Sequence, residues 1–282
     1  DDLGKDQRRL FVARAATNDW DAIILTHGAL KKIGVSPQAE ADYISRQLDE
    51  LRVSRDAARA AGSMSVKTIE KAVARLEGDL RKKLDTPRDD GVSWEDTGID
   101  YLIVDEAHTF KNLATPSNIR DAAIEGSAQA SDLHMKLEFL RGQHGDRVAT
   151  LATATPLANS ITEAYVMQRY LRPDLMEAAG VTSFDGWAAT FGEVVTEMEM
   201  APAGGFRLKD RFAKFTNVPE MLRMWHVFAD VKMPDDLKLP VPAIAPRASD
   251  GRREPEIVVL DPTPELSDYI AKLSDRAELV AS

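Results

Sequence analysis

Two adjacent carboxylates, Asp105 and Glu106, directly follow an apolar run and are the residues of this chain best suited to chemistry. The run at 101–104, Tyr-Leu-Ile-Val, is typical of a buried strand, where carboxylates are costly unless a metal or a proton needs them. In open α/β sheets, ligands bind outside the carboxyl ends of the strands. The pattern therefore predicts a magnesium-nucleotide site, in which Asp105 holds a hydrated Mg²⁺ and Glu106 polarises the attacking water. The alternative is a strand that ends in solvated acids at a turn.

A second strand is predicted at 147–152, and it ends in residues that carry hydroxyl groups. Thr153 and Thr155 lie at the carboxyl end of this strand. Their hydroxyl groups would be close to a ligand bound by Asp105 and Glu106. Pro156 fits the first turn of a following helix, because its missing N–H costs nothing there. These threonines would then either serve the neighbouring acidic site or cap that helix.

Taken together, the stretches D-E-A-H-T-F-K-N and T-A-T-P-L-A-N-S-x-x-E resemble motifs II and III of superfamily-two helicases in their Swi/Snf-type form. The residues that favour this branch over the wider DEAD/DEAH group follow the two motif cores: Lys111, Asn112, Leu157, Asn159 and Glu163. The resemblance implies a RecA-like motor lobe that uses ATP and Mg²⁺. It also implies that His108 couples the nucleotide site to Thr153 and Thr155 by hydrogen bonds.

Weaker resemblances extend on both sides of these motifs. Residues 20–27 are similar to the strand that enters motif Ib, 170–173 to the segment after motif III, and 258–265 to the link into a second RecA-like lobe. The surrounding sequence also resembles large phage- and plasmid-borne proteins that fuse such a motor to an adenine-DNA methylase, although no Asn-Pro-Pro-Tyr motif occurs. The implied partners are duplex DNA, a second RecA-like lobe and a methylase domain of the same parent chain.

A phosphate-binding loop of the form G-x-x-x-x-G-K-[ST] does not occur in these 282 residues. The arginine-finger motif of a second lobe is also missing from them. We therefore expect the chain to be a fragment of a larger protein, and we expect the isolated fragment not to turn over ATP.

The composition favours an ordinary globular piece, with 44% hydrophobic and 29% charged residues. Without cysteine, neither disulfides nor cysteine-ligated zinc can form, and a reducing cytoplasm is compatible with the sequence. No apolar run approaches the roughly 18–20 residues that span a bilayer, so no membrane partner is expected. The net charge of −10 argues against a protein that coats nucleic acid, but it leaves room for a local basic groove.

The apolar spacing divides the chain into five segments. We expect 1–36 to hold a helix at 5–17 and the motif Ib-like strand at 22–26, and 37–85 to form an inserted helical hairpin broken at Gly62-Ser63. This hairpin is either a solvated arm or one that contacts DNA or a neighbouring domain. Residues 86–192 would form the lobe core with both motifs. Residues 193–233 would form a β-hairpin and a helix, and 234–282 a linker toward a second lobe.

In the predicted β-hairpin, alternation places Arg207, Lys209 and Arg211 on one face. This stripe would either follow a phosphate backbone or supply the charge that keeps an edge strand from aggregating. The apolar helix at 221–228 is either a core face or a surface for a partner.

The sequence therefore predicts an α/β fold: part of a RecA-like lobe with a mainly parallel sheet, an inserted helical hairpin and a β-hairpin. The expected function is that of an ATP-dependent DNA helicase or translocase. The alternative is a degenerate lobe that does not hydrolyse ATP and serves as a DNA- or protein-binding scaffold for a fused methylase.

Overall fold

The computed structural model describes residues 4–60, 66–85, 93–117, 119, 122–158, 160–200, 206–238, 240, 242–255 and 257–281. Its helices are α1 Lys5–Thr17, α2 His27–Lys32, α3 Pro37–Ala60, α4 Val66–Asp85, α5 Ala128–His144, α6 Thr162–Leu171, α7 Pro173–Ala178, α8 Phe184–Phe191, α9 Val218–His226, α10 Pro234–Leu237 and α11 Pro264–Ala281. Its strands are β1 Leu102–Val104, β2 Ala149–Leu151, β3 Gly192–Met200 and β4 Phe206–Phe215. The chain divides into two compact units, 1–195 with 210–228, and 196–209 with 229–282.

A parallel two-stranded sheet lies in the first unit and confirms the predicted α/β class. β1 pairs with β2 in the register Leu102 to Ala149, Ile103 to Thr150 and Val104 to Leu151. Leu102 and Val104 are buried, whereas Ile103 is 79% exposed on the opposite face. The parallel register brings the carboxyl ends of both strands to the same edge.

The core beside this sheet is built mainly from α5, α6 and α8. Ser127 caps α5 by accepting a hydrogen bond from the backbone N–H of Ala130, and the helix buries one stripe of leucines: Leu133, Leu137 and Leu140. Almost all described side chains of α6 are buried, which is typical of a central helix. On α8, Phe184 and Trp187 pack their rings against Tyr165 of α6, and Phe191 packs against Trp187.

The predicted helical hairpin is present as α3 and α4. Its own small core contains most of the apolar residues that the spacing singles out: Ile44, Leu48, Leu51, Ile69 and Val73. The side chains of Leu76 and Leu80 lie outside the described part. Ion pairs join Arg52 to Glu77 and Arg59 to Glu70, so the two helices run antiparallel. Tyr43 of α3 hydrogen-bonds His134 of α5 over 2.8 Å, which fixes the hairpin to the lobe core.

Two local predictions are wrong. Residues 22–26 form no strand in the described sheet but an irregular segment that leads into α2, and Ile24 within it is 96% exposed. An apolar run specifies a strand only when a neighbouring strand accepts its backbone hydrogen bonds. Pro156 does not open a helix either, because 154 and 156–158 form bends and α6 begins at Thr162.

The β-hairpin of β3 and β4 is also confirmed. Arg207, Lys209 and Arg211 lie on β4, but their side chains are outside what the structure describes. In α9, Met221 is buried and Met224 and Trp225 pack against the core, which supports the core-face interpretation of that helix.

In the second unit, the described residues form parts of β3 and β4, the short helix α10, irregular backbone and the helix α11. Residues 257–260 of that unit are all strongly exposed despite being apolar. Among the helices described for this chain, none combines the length and apolar character needed to cross a bilayer.

Candidate functional site

The carboxyl ends of β1 and β2 are joined by backbone hydrogen bonds that continue past the sheet. The N–H of Ala152 donates to the carbonyl of Val104 over 2.8 Å, and the N–H of Ala107 donates to the carbonyl of Ala152 over 2.9 Å. We call residues 105–111 the acidic turn and residues 152–158 the threonine loop. These two bonds place the turn and the loop side by side, as the sequence predicts for two parallel strand tips.

Within the acidic turn, Glu106 has an unusual backbone conformation. Its φ of 50° and ψ of 42° are left-handed, a region that residues other than glycine rarely adopt. The carboxylate of Asp105 accepts a hydrogen bond of 2.9 Å from the backbone N–H of Glu106 and so supports this conformation. A 3₁₀ helix, Ala107–Phe110, follows at once. Conformations of this kind cost roughly 1–3 kcal/mol and tend to occur at functional sites.

His108 connects the acidic turn to the threonine loop. Its Nδ1 atom lies 3.0 Å from Oε2 of Glu106 and 3.5 Å from Oγ1 of Thr153. The side chains of Glu106 and His108 are 62% and 41% exposed, so water and small ligands can reach both groups. Nδ1 of His108 therefore lies close to both Glu106 in the acidic turn and Thr153 in the threonine loop.

The threonine loop is shaped by a local hydrogen bond. The hydroxyl of Thr153 accepts from the backbone N–H of Thr155 over 3.1 Å, so Thr155 takes part through its main chain. Capping of α6 by these threonines is wrong, because the N–H of Thr162 donates to the hydroxyl of Ser160. Asn159, which the sequence also singles out, lies outside the described residues.

A buried ion pair joins the ends of the acidic turn and the threonine loop. Nζ of Lys111 lies 3.0 Å from Oε2 of Glu163, and each side chain is only 7% exposed. The same carboxylate oxygen accepts a hydrogen bond of 2.6 Å from the backbone N–H of Ala158. Glu163 stands in the first turn of α6, where a negative charge is favoured by the helix dipole. The pair thus joins the end of the acidic turn, the end of the threonine loop and α6.

The 3₁₀ helix of the acidic turn is held from two more directions. The hydroxyl of Tyr170, on α6, donates to the carbonyl of Phe110 over 3.0 Å. On the other side, Nδ1 of His27 lies 3.4 Å from the hydroxyl of Thr109, and the His27 ring meets that of Phe110 edge-on at 4.9 Å. The acidic turn is therefore anchored to both α2 and α6.

The chemistry of the acidic turn suits a hard cation. Carboxylate oxygens are preferred by Mg²⁺, which proteins commonly hold through one or two carboxylates together with water and substrate phosphates. Asp105 and Glu106 present such oxygens at an exposed edge. Across the described residues, no group of three or more His, Asp or Glu side chains forms a ready-made metal cage.

Of the residues that the sequence singles out, Asp105, Glu106, His108 and Thr153 lie together, and Thr155 joins them through its backbone. Their roles stay predictions. The sequence did not predict the buried ion pair. Lys111 and Glu163 were used there only to favour the Swi/Snf-type branch over the wider DEAD/DEAH group. The only signal that could have indicated their pairing is that a lysine and a glutamate occur in the segments after two neighbouring strands. The sequence did not predict the support from Tyr170 and His27 either.

The fold is consistent with a partial α/β lobe of the RecA-like type. Residues 1–233 match the family described as "Probable helicase domain", and the chain belongs to that family. It is 27% identical over 197 residues to "Defense against restriction protein B" of Escherichia phage P1; the match covers 64% of this chain and 8% of that protein. The chain thus spans less than a tenth of this relative's length. No solved structure gives a significant match. Family membership supports a helicase-type function.

Proposed function

We propose that this chain is the first-lobe segment of an ATP-dependent DNA helicase or translocase of the Swi/Snf-type branch. The observation that carries the proposal is the cluster of Glu106, His108 and Thr153 at the shared edge of β1 and β2. A site that hydrolyses a nucleotide needs a carboxylate that can bind the attacking water. It also needs a neighbouring group whose contacts change with the nucleotide. In this cluster, Nδ1 of His108 contacts both the carboxylate of Glu106 and the hydroxyl of Thr153.

In the proposed mechanism, Asp105 holds Mg²⁺ through water, and the metal, when bound, neutralises charge that develops on the transferred phosphoryl group. Glu106 orients the attacking water and takes its proton. The exposure of its carboxylate leaves room for that water. The contact with His108 restrains the carboxylate, so that it faces the reacting water in a fixed direction.

We assign the coupling of hydrolysis to DNA to His108, Thr153 and Thr155. A change in the position of the Glu106 carboxylate would reach the threonine loop through the side chain of His108, because one nitrogen contacts both sides. Thr155 would follow, since its N–H is bound to the Thr153 hydroxyl. A ligand shifts such an element only if the element has two arrangements that bind the ligand with different affinity.

The proposed partners are duplex DNA, a second RecA-like lobe and a methylase domain of the same protein. The phage P1 relative is named for defence against restriction, and restriction acts on duplex DNA, so that name supports duplex DNA as a partner. Arg207, Lys209 and Arg211 of β4 are candidate contacts to its phosphates.

The test is ATP hydrolysis by the full-length protein with Mg²⁺, measured without nucleic acid and with duplex DNA, single-stranded DNA or RNA. We expect hydrolysis that requires Mg²⁺ and is stimulated most by duplex DNA. DNA binding without hydrolysis under every condition would contradict the motor. It would favour the alternative, a degenerate lobe that acts as a scaffold for the methylase.

A further inference from the structure

Helix α6 holds the acidic turn at two points that lie on one face of the helix. Glu163 and Tyr170 are seven residues apart, close to two full turns, so their side chains point the same way. Glu163 pairs with Lys111 at 3.0 Å, and the Tyr170 hydroxyl donates to the carbonyl of Phe110 at 3.0 Å. Two consecutive residues of the acidic turn, Phe110 and Lys111, are therefore fixed to one helix.

The same helix also holds the threonine loop. Oε2 of Glu163 accepts from the N–H of Ala158 at 2.6 Å while it pairs with Lys111. One carboxylate oxygen thus sets the distance between the ends of the turn and the loop. Both side chains of the ion pair are buried, so bulk water does not compete for these bonds.

Stability alone is a weak reason for this arrangement. The cost of desolvating a buried ion pair offsets much of its attraction, and apolar residues of similar volume often stabilise a fold as well. What apolar residues cannot supply is a directional bond that joins two loops at a fixed distance. Here Glu163 joins the ends of the acidic turn and the threonine loop, whereas the cluster of Glu106, His108 and Thr153 joins their earlier residues.

We propose that Lys111, Glu163 and Tyr170 form a clamp of positioning residues, the α6 clamp, that holds the acidic turn and the threonine loop in the register needed for hydrolysis. The inference rests on the proposed function and deepens it, since it names residues that act through Glu106 and His108 without touching the nucleotide. Misplacing a reacting group by about 1 Å can cost about 100-fold in rate. A loosened clamp therefore lowers kcat while nucleotide binding persists.

The first experiment compares kcat and KM for ATP in the full-length protein and its variants. Tyr170→Phe removes the hydroxyl that binds the carbonyl of Phe110 and also the carbonyl of Ala130 on α5. Lys111→Met with Glu163→Gln removes both charges together, so no buried charge is left unpaired, and Gln keeps an acceptor for the N–H of Ala158. We expect kcat to fall about 10- to 100-fold in both variants, with KM for ATP changed less than about threefold.

A matched control separates positioning from stability. Lys136 and Asp132 form another largely buried pair, with Nζ to Oδ2 at 2.5 Å, and Lys136 also donates to the carbonyl of Leu30. Lys136→Met should lower the melting temperature at least as much as the double variant does, yet leave kcat per folded molecule unchanged. Normal kcat in both clamp variants would overturn the clamp.

Hydrogen–deuterium exchange of the full-length protein tests the clamp without any hydrolysis. Peptides that cover 105–112 and 152–158 should exchange faster in the double variant than in the wild type or Lys136→Met. Unchanged exchange in both peptides would overturn the clamp. Faster exchange in a protein whose wild type hydrolyses no ATP would uphold the clamp as a physical link and reject the proposed function.

Discussion

The imidazole of His108 lies 3.0 Å from the carboxylate of Glu106, and the nitrogen that makes this contact is also 3.5 Å from the hydroxyl of Thr153. Both distances depend on the left-handed backbone of Glu106, which turns the chain sharply between the strand and the 3₁₀ helix. The carboxylate of Glu106, which we propose orients the attacking water, thus contacts His108 of the acidic turn. Through His108 it is linked to Thr153 of the threonine loop.

Glu106→Gln in the full-length protein should retain nucleotide binding and lose hydrolysis. Gln keeps the shape and the hydrogen bonding of Glu but cannot take a proton from water, and loss of a general base typically costs ~10²–10⁴-fold in rate. The measurements are steady-state hydrolysis and equilibrium nucleotide binding, with Glu220→Gln, an exposed glutamate of α9, as control. Near-normal turnover in Glu106→Gln would reject Glu106 as the base and favour the degenerate-lobe alternative.

Replacing Thr153 and Thr155 with Ala should leave folding and nucleotide affinity largely intact while DNA-stimulated hydrolysis and translocation fall together. The reason is the loss of the Thr153 hydroxyl, which faces His108 and also accepts from the N–H of Thr155. Melting curves and ATPase assays with and without duplex DNA measure the two effects separately.

Thr150→Ala is the matched control for the threonine pair, since the hydroxyl of Thr150 on β2 bonds to Tyr101 and not to His108. It should leave DNA stimulation unchanged. A threonine double variant that melts early yet keeps full DNA stimulation would show that these hydroxyls only shape the loop.

Buried His134 should make the fold sensitive to acid. Burial is the main cause that holds the pKa of His134 well below its usual 6.5, and Arg169, Arg141 and Arg46 lower it further. The unfolded chain therefore binds this proton first as pH falls. The contribution of His134 to stability is complete above about pH 6.5 and declines below it, by at most about 1.4 kcal/mol per pH unit, until the folded-state pKa is reached.

The measurement is urea denaturation of the purified chain and of His134→Gln between pH 7.5 and pH 5. The hydroxyl of Tyr43 and Nδ1 of His134 share a hydrogen bond of 2.8 Å, and the side-chain amide of Gln can bond that hydroxyl without titrating. We expect the variant to be less stable at pH 7.5 and the difference to narrow as pH falls. Parallel pH profiles would show that His134 does not titrate on unfolding.

Gly126→Ala should destabilise the lobe by roughly 1–3 kcal/mol. Gly126 has a φ of 96°, and an added Cβ would lie 2.8 Å from Cβ of Ala114. Gly142→Ala in α5 is the control, because no atom lies within 4 Å of its added Cβ and helical Gly is worse than Ala by about 0.5–1 kcal/mol. Chemical denaturation should shift the two variants in opposite directions; equal effects would contradict the close contact at Ala114.

The spacing of apolar residues in the sequence determined those helices and strands that bury one face. The spacing of Ile44, Leu48 and Leu51 predicted a helix face, and that face is buried in the helical hairpin. The run before Asp105 predicted a strand, since a continuous apolar stretch with acids at its end has few other places in a fold. The same reasoning located the acidic turn and the threonine loop.

Tertiary structure decided everything that depends on a distant partner. The apolar run at 22–26 predicted a strand. A strand needs a neighbouring strand that accepts its backbone hydrogen bonds, and the described sheet has none at this segment. Lys111 and Glu163 are 52 residues apart, and only the packing of α6 against the acidic turn makes them a buried pair. The left-handed backbone of Glu106 is likewise fixed by its surroundings, because isolated chains disfavour that conformation. Periodicity records which residues are buried, whereas the energy of a contact depends on which two surfaces the fold brings together.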